Sequence, residues 1–200
     1  MPLTTQRIAE AALAVLRRDG LSLLSLRAVA TELGVHHNAV RWHVSTKTGL
    51  LELVSDRIVA DCLDEPLPPA TDERLFELWS RLRAALLRYR DGARLVTGVT
   101  TTGPHTLALS EVSVSALLEQ GRDPQEAVWL HWALFYFVLG LTAEEQSFDE
   151  TLVSSLAETV TTEAHPTLSR PDIMTHMVRG DFDQRFAFGV RRLLTTDRNR

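Results

Sequence analysis

One stretch, Ser25–Leu51 (SLRAVATELGVHHNAVRWHVSTKTGLL), constrains the fold of this 200-residue chain more than any other. It predicts a short helix over Leu26–Leu33, because Ser25 can accept a hydrogen bond from the free amides of a first helical turn. Gly34 ends that helix, since glycine most readily takes the left-handed conformation found there. A second short helix is expected at about His37–His43. Two short helices joined by a glycine turn predict a helix-turn-helix.

The packing that such a unit needs is present on both sides of the turn. Small Ala30 allows the two helices to cross closely, and Val40 and Val44, four residues apart, share one inward face. Upstream, Thr4–Arg18 has apolar residues at helical spacing, so we expect a third helix that covers the other two. The common core of this three-helix module is predicted to be Ile8, Val15, Leu23, Leu26, Val29, Leu33 and Val40.

The outward face of the second short helix combines hydrogen-bonding and aromatic side chains. They are His37, Asn38, Arg41, Trp42 and His43. Side chains of these types contact base edges and phosphates. The alternative is the solvated face of a small helical bundle, for which tryptophan is a poor choice. The face therefore predicts DNA recognition.

Charge is distributed unevenly along the chain. Residues 1–47 carry six basic and three acidic side chains, whereas the remainder carries 15 basic and 23 acidic ones, for a net charge of −5 overall. Three of the seven histidines also lie near the helix-turn-helix. This asymmetry is typical of proteins that bind DNA through one small module.

The rest of the chain predicts an all-α body. A helix is expected at about Lys47–Leu63, capped by Ser45-Thr46, and the proline-rich segment Asp64–Asp72 predicts a linker. The further predicted helices run from Thr71 or Asp72 to Arg90, then over Ala93–Thr97, His105–Gln120, Pro124–Leu141, Asp172–Val178 and Phe182–Thr195. The predicted domains are residues 1–46, called the head below, and 47–200, called the body, with the linker near 64–72.

The helix expected after Pro124 is apolar nearly all round between Ala127 and Leu141. In a soluble chain this pattern predicts contact on two sides, with the core and with a partner subunit. No apolar run reaches the roughly 20 residues that span a bilayer, and the N-terminus does not resemble a signal peptide. A single cysteine, Cys62, fits a reducing compartment. We therefore expect a cytoplasmic protein with no membrane segment.

With the order of helices assembled, the chain resembles the TetR family of bacterial transcriptional repressors, and closely its tetracycline-repressor branch. The resemblance is carried by RAVATELGV, RWHVSTKTGLL, ALLRYRDGAR, LLEQG, EAVWL and FAFGVRRLL. It implies a homodimer formed through helices at about 124–142 and 182–195, and a double-stranded DNA operator. It also implies a ligand-binding and dimerisation domain at 47–200, in which a small-molecule effector moves the fourth helix and separates the two heads.

Carried over position by position, the resemblance implies a set of DNA-contacting residues. They are Arg27, His37, Asn38, Ala39, Arg41, Trp42, His43 and Lys47. Arg41 departs from the family pattern, in which an aromatic residue is usual there. A guanidinium at this place can still reach a phosphate or bind guanine with two hydrogen bonds.

The implied ligand site differs from that of the tetracycline repressor, which chelates a drug–magnesium complex with a histidine in the context RDGA-x-x-H. Here the motif reads RDGARLV, so Val96 replaces the metal ligand, and Leu63, Leu78 and Ser113 replace a histidine, an asparagine and a glutamine. Glu144 matches a second metal-associated acid. We expect no metal, no cofactor and a mainly apolar pocket. Its expected residues are Leu63, Leu78, Trp79, Leu82, Val96, Thr100, Thr101, Ser113, His131 and Phe135.

The predicted function is a DNA-binding regulator, a repressor released from a palindromic operator by a small, largely apolar effector other than magnesium–tetracycline. The main alternative is a helix-turn-helix dimer without a small-molecule effector, either responsive to a protein or constitutive. A zinc site at His36, His37 and His43 would lack a cysteine or acid at ligand spacing. An acid–base set would consist of His131, Glu144, Glu145 and His165. No nucleophile motif or glycine-rich phosphate loop accompanies that set, so an enzyme is not expected.

Overall fold

A computed structural model of the protein describes residues 2–99, 102–149, 151, 155, 158–178 and 180–195. The regular structure in this part of the chain is helical, with no strand, which confirms the predicted all-α class. The helices are α1 (Thr5–Asp19), α2 (Leu26–Leu33), α3 (His37–His43), α4 (Lys47–Ala60), α5 (Thr71–Leu87), α6 (Gly92–Thr97), α7 (Pro104–Glu119), α8 (Pro124–Gln146), α9 (Pro171–Val178) and α10 (Phe182–Leu194).

The helix-turn-helix forms as its capping residues predict. The Ser25 hydroxyl accepts a hydrogen bond from the Ala28 amide at 3.1 Å and so begins α2. Gly34 ends α2 with φ at 64°, in the left-handed region that glycine enters without steric cost. Ala30 and Val40 are buried in this module, and α2 packs against both α1 and α3. Local sequence signals therefore suffice to specify this module.

One member of the predicted head core is wrong. Leu23 is 63% exposed, whereas its neighbour Leu24 is fully buried. The residues between α1 and α2 form a turn that follows Gly20, whose φ is 81°. Because this segment is not helical, the helical spacing that selected Leu23 does not apply there.

Three helix ends differ from the prediction by three residues or more. Helix α4 stops at Ala60, before Leu63, and α5 stops at Leu87, before Arg90. Helix α8 continues beyond Leu141 to Gln146. Its last turn is polar, so apolar periodicity could not detect it. That turn is held by other helices instead, because the Gln146 side-chain amide donates to two backbone carbonyls at the end of α5, at 2.9 and 2.8 Å.

The linker between α4 and α5 is non-helical, as its prolines predict, and is held along α5 by two arginines. The Arg81 guanidinium donates to the backbone carbonyls of Glu65 and Pro66 at 2.6 and 3.0 Å. Arg74 donates to the carbonyl of Pro69 at 2.6 Å. A segment that cannot make helical hydrogen bonds thus has several of its carbonyls satisfied by side chains.

Helix α8 lies at the centre of the body, with α5, α6, α7 and α10 packed against it. Helix α4 packs on α1 at the head and on α5, α6 and α7 of the body. As a result, buried residues of the head and body form one continuous hydrophobic core that includes Ile8, Val54 and Trp79. The head and body therefore share α4 as a common structural element.

One helix bears on the expectation that the chain has no membrane segment. Helix α8, 23 residues with a mean hydropathy of 1.3 over its most apolar window, is long and apolar enough to cross a bilayer by length and composition alone. A core helix of a soluble protein passes the same test, and a single such helix is weak evidence. Its buried face, which includes Leu134 and Val138, packs on the body helices described above.

Candidate DNA-binding surface and ligand cavity

The structure places the predicted DNA-contacting residues on one end of the head and at the start of α4. Trp42 is 84% exposed, an unusual state for tryptophan. The other exposed members of the set are Arg27, Asn38, Ala39, Arg41 and Lys47, and the half-buried ones are His37 and His43. This surface therefore presents guanidinium, ammonium, amide and indole groups to a partner outside the chain.

A residue outside the predicted set, His36, fixes the start of α3. Its Nδ1 accepts a hydrogen bond from the Asn38 amide at 3.2 Å, as an N-cap side chain does. At the other end of α3, Trp42 and His43 meet edge to face, with ring centroids 5.0 Å apart. The sequence pattern indicates His36 only as a candidate zinc ligand, because histidine is not among the common capping residues.

The body contains a cavity of about 220 Å³ between α4, α6, α7 and α8. Most of its wall is aliphatic or aromatic, with hydroxyl groups and one imidazole as polar points. The lining residues are Val59, Val96, Thr97, Val99, Thr106, Ser110, His131, Trp132, Phe135, Tyr136 and Leu139. An apolar wall with a few polar groups is the usual composition of a small-molecule site.

Three predicted ligand residues, Val96, His131 and Phe135, line this cavity. Thr100 and Thr101 lie outside the described residues. The apolar wall contributed by Val59 and Leu139, and the polar wall contributed by α7, were missed. A signal for the latter was available, since Thr106 and Ser110 are four residues apart and so share one face of a helix.

The remaining predicted ligand residues do not lie at the cavity wall. Leu78, Trp79 and Leu82 are fully buried in the core, because the apolar stripe of α5 faces the other body helices. The Trp79 ring lies behind the lining, 5.7 Å from the His131 ring centroid. Ser113 is fully buried on α7, and Leu63 is half-buried in the turn after α4.

The polar side of the cavity is a short hydrogen-bonded chain. The Ser110 hydroxyl donates to the Thr106 carbonyl at 3.0 Å, and His131 Nε2 lies 3.2 Å from the same hydroxyl oxygen. His131 is only 3% exposed. This burial disfavours the charged imidazolium and lowers the pKa of His131 to about 4. The imidazole is therefore neutral at physiological pH.

Helix α4 reaches the start of α7 through one carboxylate. Asp56 Oδ1 accepts hydrogen bonds from the backbone amides of His105 and Thr106, at 3.1 and 2.9 Å, and Oδ2 lies 2.7 Å from His105 Nδ1. Asp56 thus caps α7 in place of Gly103, which has no capping side chain. A Cβ atom at Gly103 would collide with this carboxylate. The cavity residue Thr106 is therefore attached directly to α4.

The head also contacts the body at the end of α5. Asp91, in the left-handed conformation at φ 61°, accepts a hydrogen bond from the Leu21 amide at 3.0 Å through Oδ2. The Arg17 guanidinium lies 4.9 Å from the centroid of the Tyr89 ring. A cleft of about 830 Å³, lined in part by Lys47 and Asp91, separates head from body nearby.

Glu144, the residue matched to a metal-associated acid, is paired with an arginine. Its two carboxylate oxygens accept hydrogen bonds from Arg185 at 2.7 and 2.9 Å. Within the described ranges, no group of three histidine, cysteine, aspartate or glutamate residues is arranged to hold a metal ion. Val96 lies at the cavity wall, where it offers no ligand atom.

A known family and several known proteins are similar to this chain. Residues 65–195 match the family described as tetracyclin repressor-like, C-terminal domain. The class A tetracycline repressor from transposon 1721 of Escherichia coli is 33% identical over 145 residues, covering 71% of this chain and 67% of the repressor.

Two solved structures are similar over most of the chain. Streptomyces coelicolor ActR in complex with actinorhodin is 27% identical, with a TM-score of 0.85, over 96% of this chain and 94% of ActR. BioQ with its double-stranded DNA operator is 29% identical, with a TM-score of 0.64, over 76% of this chain and 93% of BioQ. The chain belongs to the TetR family of transcriptional regulators and carries a tetracycline-repressor-like C-terminal domain.

Proposed function

We propose that this TetR-family regulator is a dimeric repressor that leaves a palindromic operator when a small, largely apolar effector other than magnesium–tetracycline enters the body. One observation carries the proposal. Helix α4 begins with Lys47 at the DNA-binding surface, carries Asp56 to the start of α7, and lines the cavity with Val59. A molecule that moves the cavity wall acts on the same rigid helix that supports the head.

On the DNA side, we assign base recognition to Arg41 and Asn38 on α3 and phosphate contact to Lys47 and Arg27. The surface carries four exposed polar or charged side chains of these types together with the exposed indole of Trp42. The BioQ structure, which holds a double-stranded operator, supports this use of the head. Base contacts determine specificity, whereas phosphate contacts determine register and affinity.

The dimer interface that we propose uses α8 and α10. The exposed side of α8 presents Trp129, Trp132 and Tyr136, which are 65%, 44% and 64% exposed, and α10 presents Phe188, which is 69% exposed. Large exposed apolar patches of this kind mark association surfaces. Because a two-fold dimer uses the same patch on both subunits, such a surface matches a symmetric operator.

The effector side of the proposal rests on what the cavity offers. Val96 in the cavity wall provides no donor or ligand atom, and outside the cavity Arg185 occupies both oxygens of Glu144. These features disfavour a metal–drug complex, which needs oxygen or nitrogen ligands. ActR, whose solved complex holds actinorhodin, supports a non-tetracycline effector for a structural neighbour.

Release of DNA then requires differential affinity between two states. In the DNA-competent state, the two α3 helices lie about 34–36 Å apart, one turn of DNA. An effector that binds better when the heads are further apart shifts the dimer to that state, whereas equal affinity for both states would release nothing.

The direct test is to select operator sequences with the purified protein and measure binding by fluorescence anisotropy. We expect the selection to recover a palindrome with half-sites one helical turn apart. The promoter region that the protein protects from nuclease should contain the same palindrome. Addition of an effector should lower affinity for that palindrome, while tetracycline with magnesium should not. Recovery of no palindrome, or release by micromolar tetracycline and magnesium, would contradict the proposal.

The alternative, a dimer without a small-molecule effector, is favoured by the modest cavity volume of about 220 Å³. Drug-sized ligands usually occupy cavities of roughly 300–1,000 Å³. A thermal-shift screen separates the two functions, because a true effector stabilises the folded state by mass action. Absence of any stabilising compound in a broad aromatic library would support the alternative.

A further inference from the structure

Two polar ring atoms are buried beside the cavity without a hydrogen-bond partner. Across the described residues, neither His131 Nδ1 nor Trp79 Nε1 has one. Their rings are neighbours, with centroids 5.7 Å apart. Leaving a polar group buried and unpaired is unfavourable, so the folded protein gains stability when a partner is supplied from outside the chain.

The hydrogen-bond chain at Ser110 specifies what kind of partner His131 needs. The Ser110 hydroxyl has a single proton, which it donates to the Thr106 carbonyl at 3.0 Å. Its oxygen is therefore left to accept, so the proton of the neutral imidazole sits on Nε2, 3.2 Å away. Nδ1 is then a bare acceptor. It requires a donor, whereas the indole N–H of Trp79 requires an acceptor.

The cavity walls indicate what shape of ligand fits. Trp132 and Tyr136, which also belong to the exposed side of α8 proposed as the dimer interface, stack with centroids 5.7 Å apart and planes at 21°, and both contribute to the cavity lining. Phe135 lies 6.3 Å from His131 with planes at 23°. Aromatic walls of this kind favour a flat aromatic ligand. A volume of about 220 Å³ limits it to one or two rings.

We propose that the cavity binds an uncharged aromatic molecule of one or two rings that bears a hydroxyl group, and that this hydroxyl donates to Nδ1 of His131. This inference rests on the proposed effector function and names the chemical class of the effector. His131 therefore determines specificity, and Ser110 is a positioning residue that keeps the imidazole proton on Nε2.

Charged ligands are excluded by the same environment. The lining residues include no lysine, arginine, aspartate or glutamate, so a carboxylate or ammonium group would lose its hydration without gaining a counter-ion. The low pKa of His131, a consequence of burial, means that the imidazole does not supply a positive charge at neutral pH either.

Naphthol and its methyl ether test the proposal directly on the intact protein. The two probes share the ring system and the oxygen, but only naphthol can donate. By calorimetry at neutral pH, we expect naphthol to bind about tenfold more tightly than the ether, the effect of one hydrogen bond to a buried acceptor. Equal affinity, or preference for the ether, would overturn the proposal.

Two variants locate the preference on the chain. In His131→Phe, a ring of similar size replaces the acceptor, and we expect the two probes to bind with equal affinity. The matched control, His176→Phe on the exposed face of α9, should keep the tenfold preference. Retention of the preference in His131→Phe would show that the ligand hydroxyl donates to a different acceptor and overturn the proposal.

The measurement on the unmodified protein does not depend on how the variants fold. Nitrogen NMR of histidine-labelled protein adds a second readout. The chemical shift of the His131 Nδ1 signal, which is that of an acceptor nitrogen, should change when naphthol is added and should not change when the ether is added. An unmoved signal would count against the contact. Failure of the proposed function is distinguishable, because naphthol would then bind with the expected preference and yet leave the operator complex intact.

Discussion

At the scale of single residues, the proposed function gives Arg41 and Lys47 different roles in DNA binding. Lys47→Ala should weaken binding to all sequences alike and reduce the salt slope by about 0.9 for each phosphate that the variant no longer neutralises. Arg41→Ala should instead cost about 1–3 kcal/mol for the preferred base pair and relax specificity there. Anisotropy titrations at several salt concentrations, against the operator and single-base variants, measure both effects.

Arg192→Ala provides the matched control, since it removes one exposed positive charge from α10 at the other end of the chain. It should leave both the salt slope and the base preference unchanged. If Lys47→Ala kept the full salt slope, Lys47 would not contact a phosphate.

His131 also gives the stability of the protein a specific dependence on pH. Its pKa is about 4 in the folded state, against an ordinary value of 6.5, so the unfolded chain binds more protons between these values. The free energy of unfolding should therefore fall as pH drops from about 6.5 to about 4, by up to about 3 kcal/mol from this group. Above pH 6.5 the contribution is fully present.

Urea unfolding of the parent and of His131→Phe at pH 7, 5.5 and 4.5 measures this effect by difference. The gap in stability between the two proteins should change in favour of His131→Phe as the pH falls. A constant gap across these pH values would show that His131 is not buried in its neutral form.

The hydrogen bonds and conformation of a single residue could be predicted from the sequence where its neighbours along the chain determine them. Ser25 and Gly34 act locally, so the caps of α2 follow from the sequence. The partners of Asp56 and His131 come from other helices, as far as 50 and 21 residues away, and no spacing rule indicates them. The same holds for Leu23, whose exposure depends on a turn rather than on a helix.

At the scale of helices, the Asp56 carboxylate is the main link between α4 and α7. Asp56→Ala should destabilise the protein by about 1–2 kcal/mol, because the first amides of α7 lose their acceptor. Asp56→Asn keeps one acceptor oxygen and should cost less. In Asp56→Ala, effector binding should persist while the effector releases DNA less completely, since Thr106 in the cavity wall loses its hydrogen bonds to α4.

Unfolding midpoints in urea and operator release by a bound effector are the two readouts. Glu52→Ala, an exposed carboxylate on the same helix, serves as the control and should change neither. Full release of DNA by effector in Asp56→Ala would show that the signal passes through other contacts between α4 and the body.

The limits of periodicity are clearest in α5 and α8. The stripe of α5 predicted correctly that Leu78, Trp79 and Leu82 face inward, but it could not tell a core position from a cavity position. Both are apolar and spaced alike; only the packing of neighbouring helices separates them. In α8, the polar last turn through Gln146 depends on contacts with α5 and α6.

At the scale of the whole molecule, the exposed apolar side of α8 and α10 should determine the oligomeric state. A charge introduced by Trp129→Glu or Phe188→Glu would be buried twice in a symmetric dimer. We expect the dimer dissociation constant to rise at least about tenfold, and operator affinity to fall with it. Light scattering after size exclusion, together with anisotropy, measures both.

Leu107→Glu is the matched control, because Leu107 is 57% exposed on α7, outside the proposed interface. It should leave the dimer unchanged. A monomeric parent protein, or a dimer insensitive to both interface variants, would contradict the assignment of this surface.

Helix α7 takes the acceptors for its first amides from Asp56, which belongs to α4. This has a practical consequence for chimaeric regulators. In a chimaera joined after α4, a helix from another protein would pack against α7, and the Asp56 carboxylate that caps α7 would be lost. A junction at residue 46 instead keeps Asp56 and α7 from the same parent protein. Exchange of DNA specificity between relatives should therefore succeed with heads that end before Lys47, and fail when α4 travels with the head.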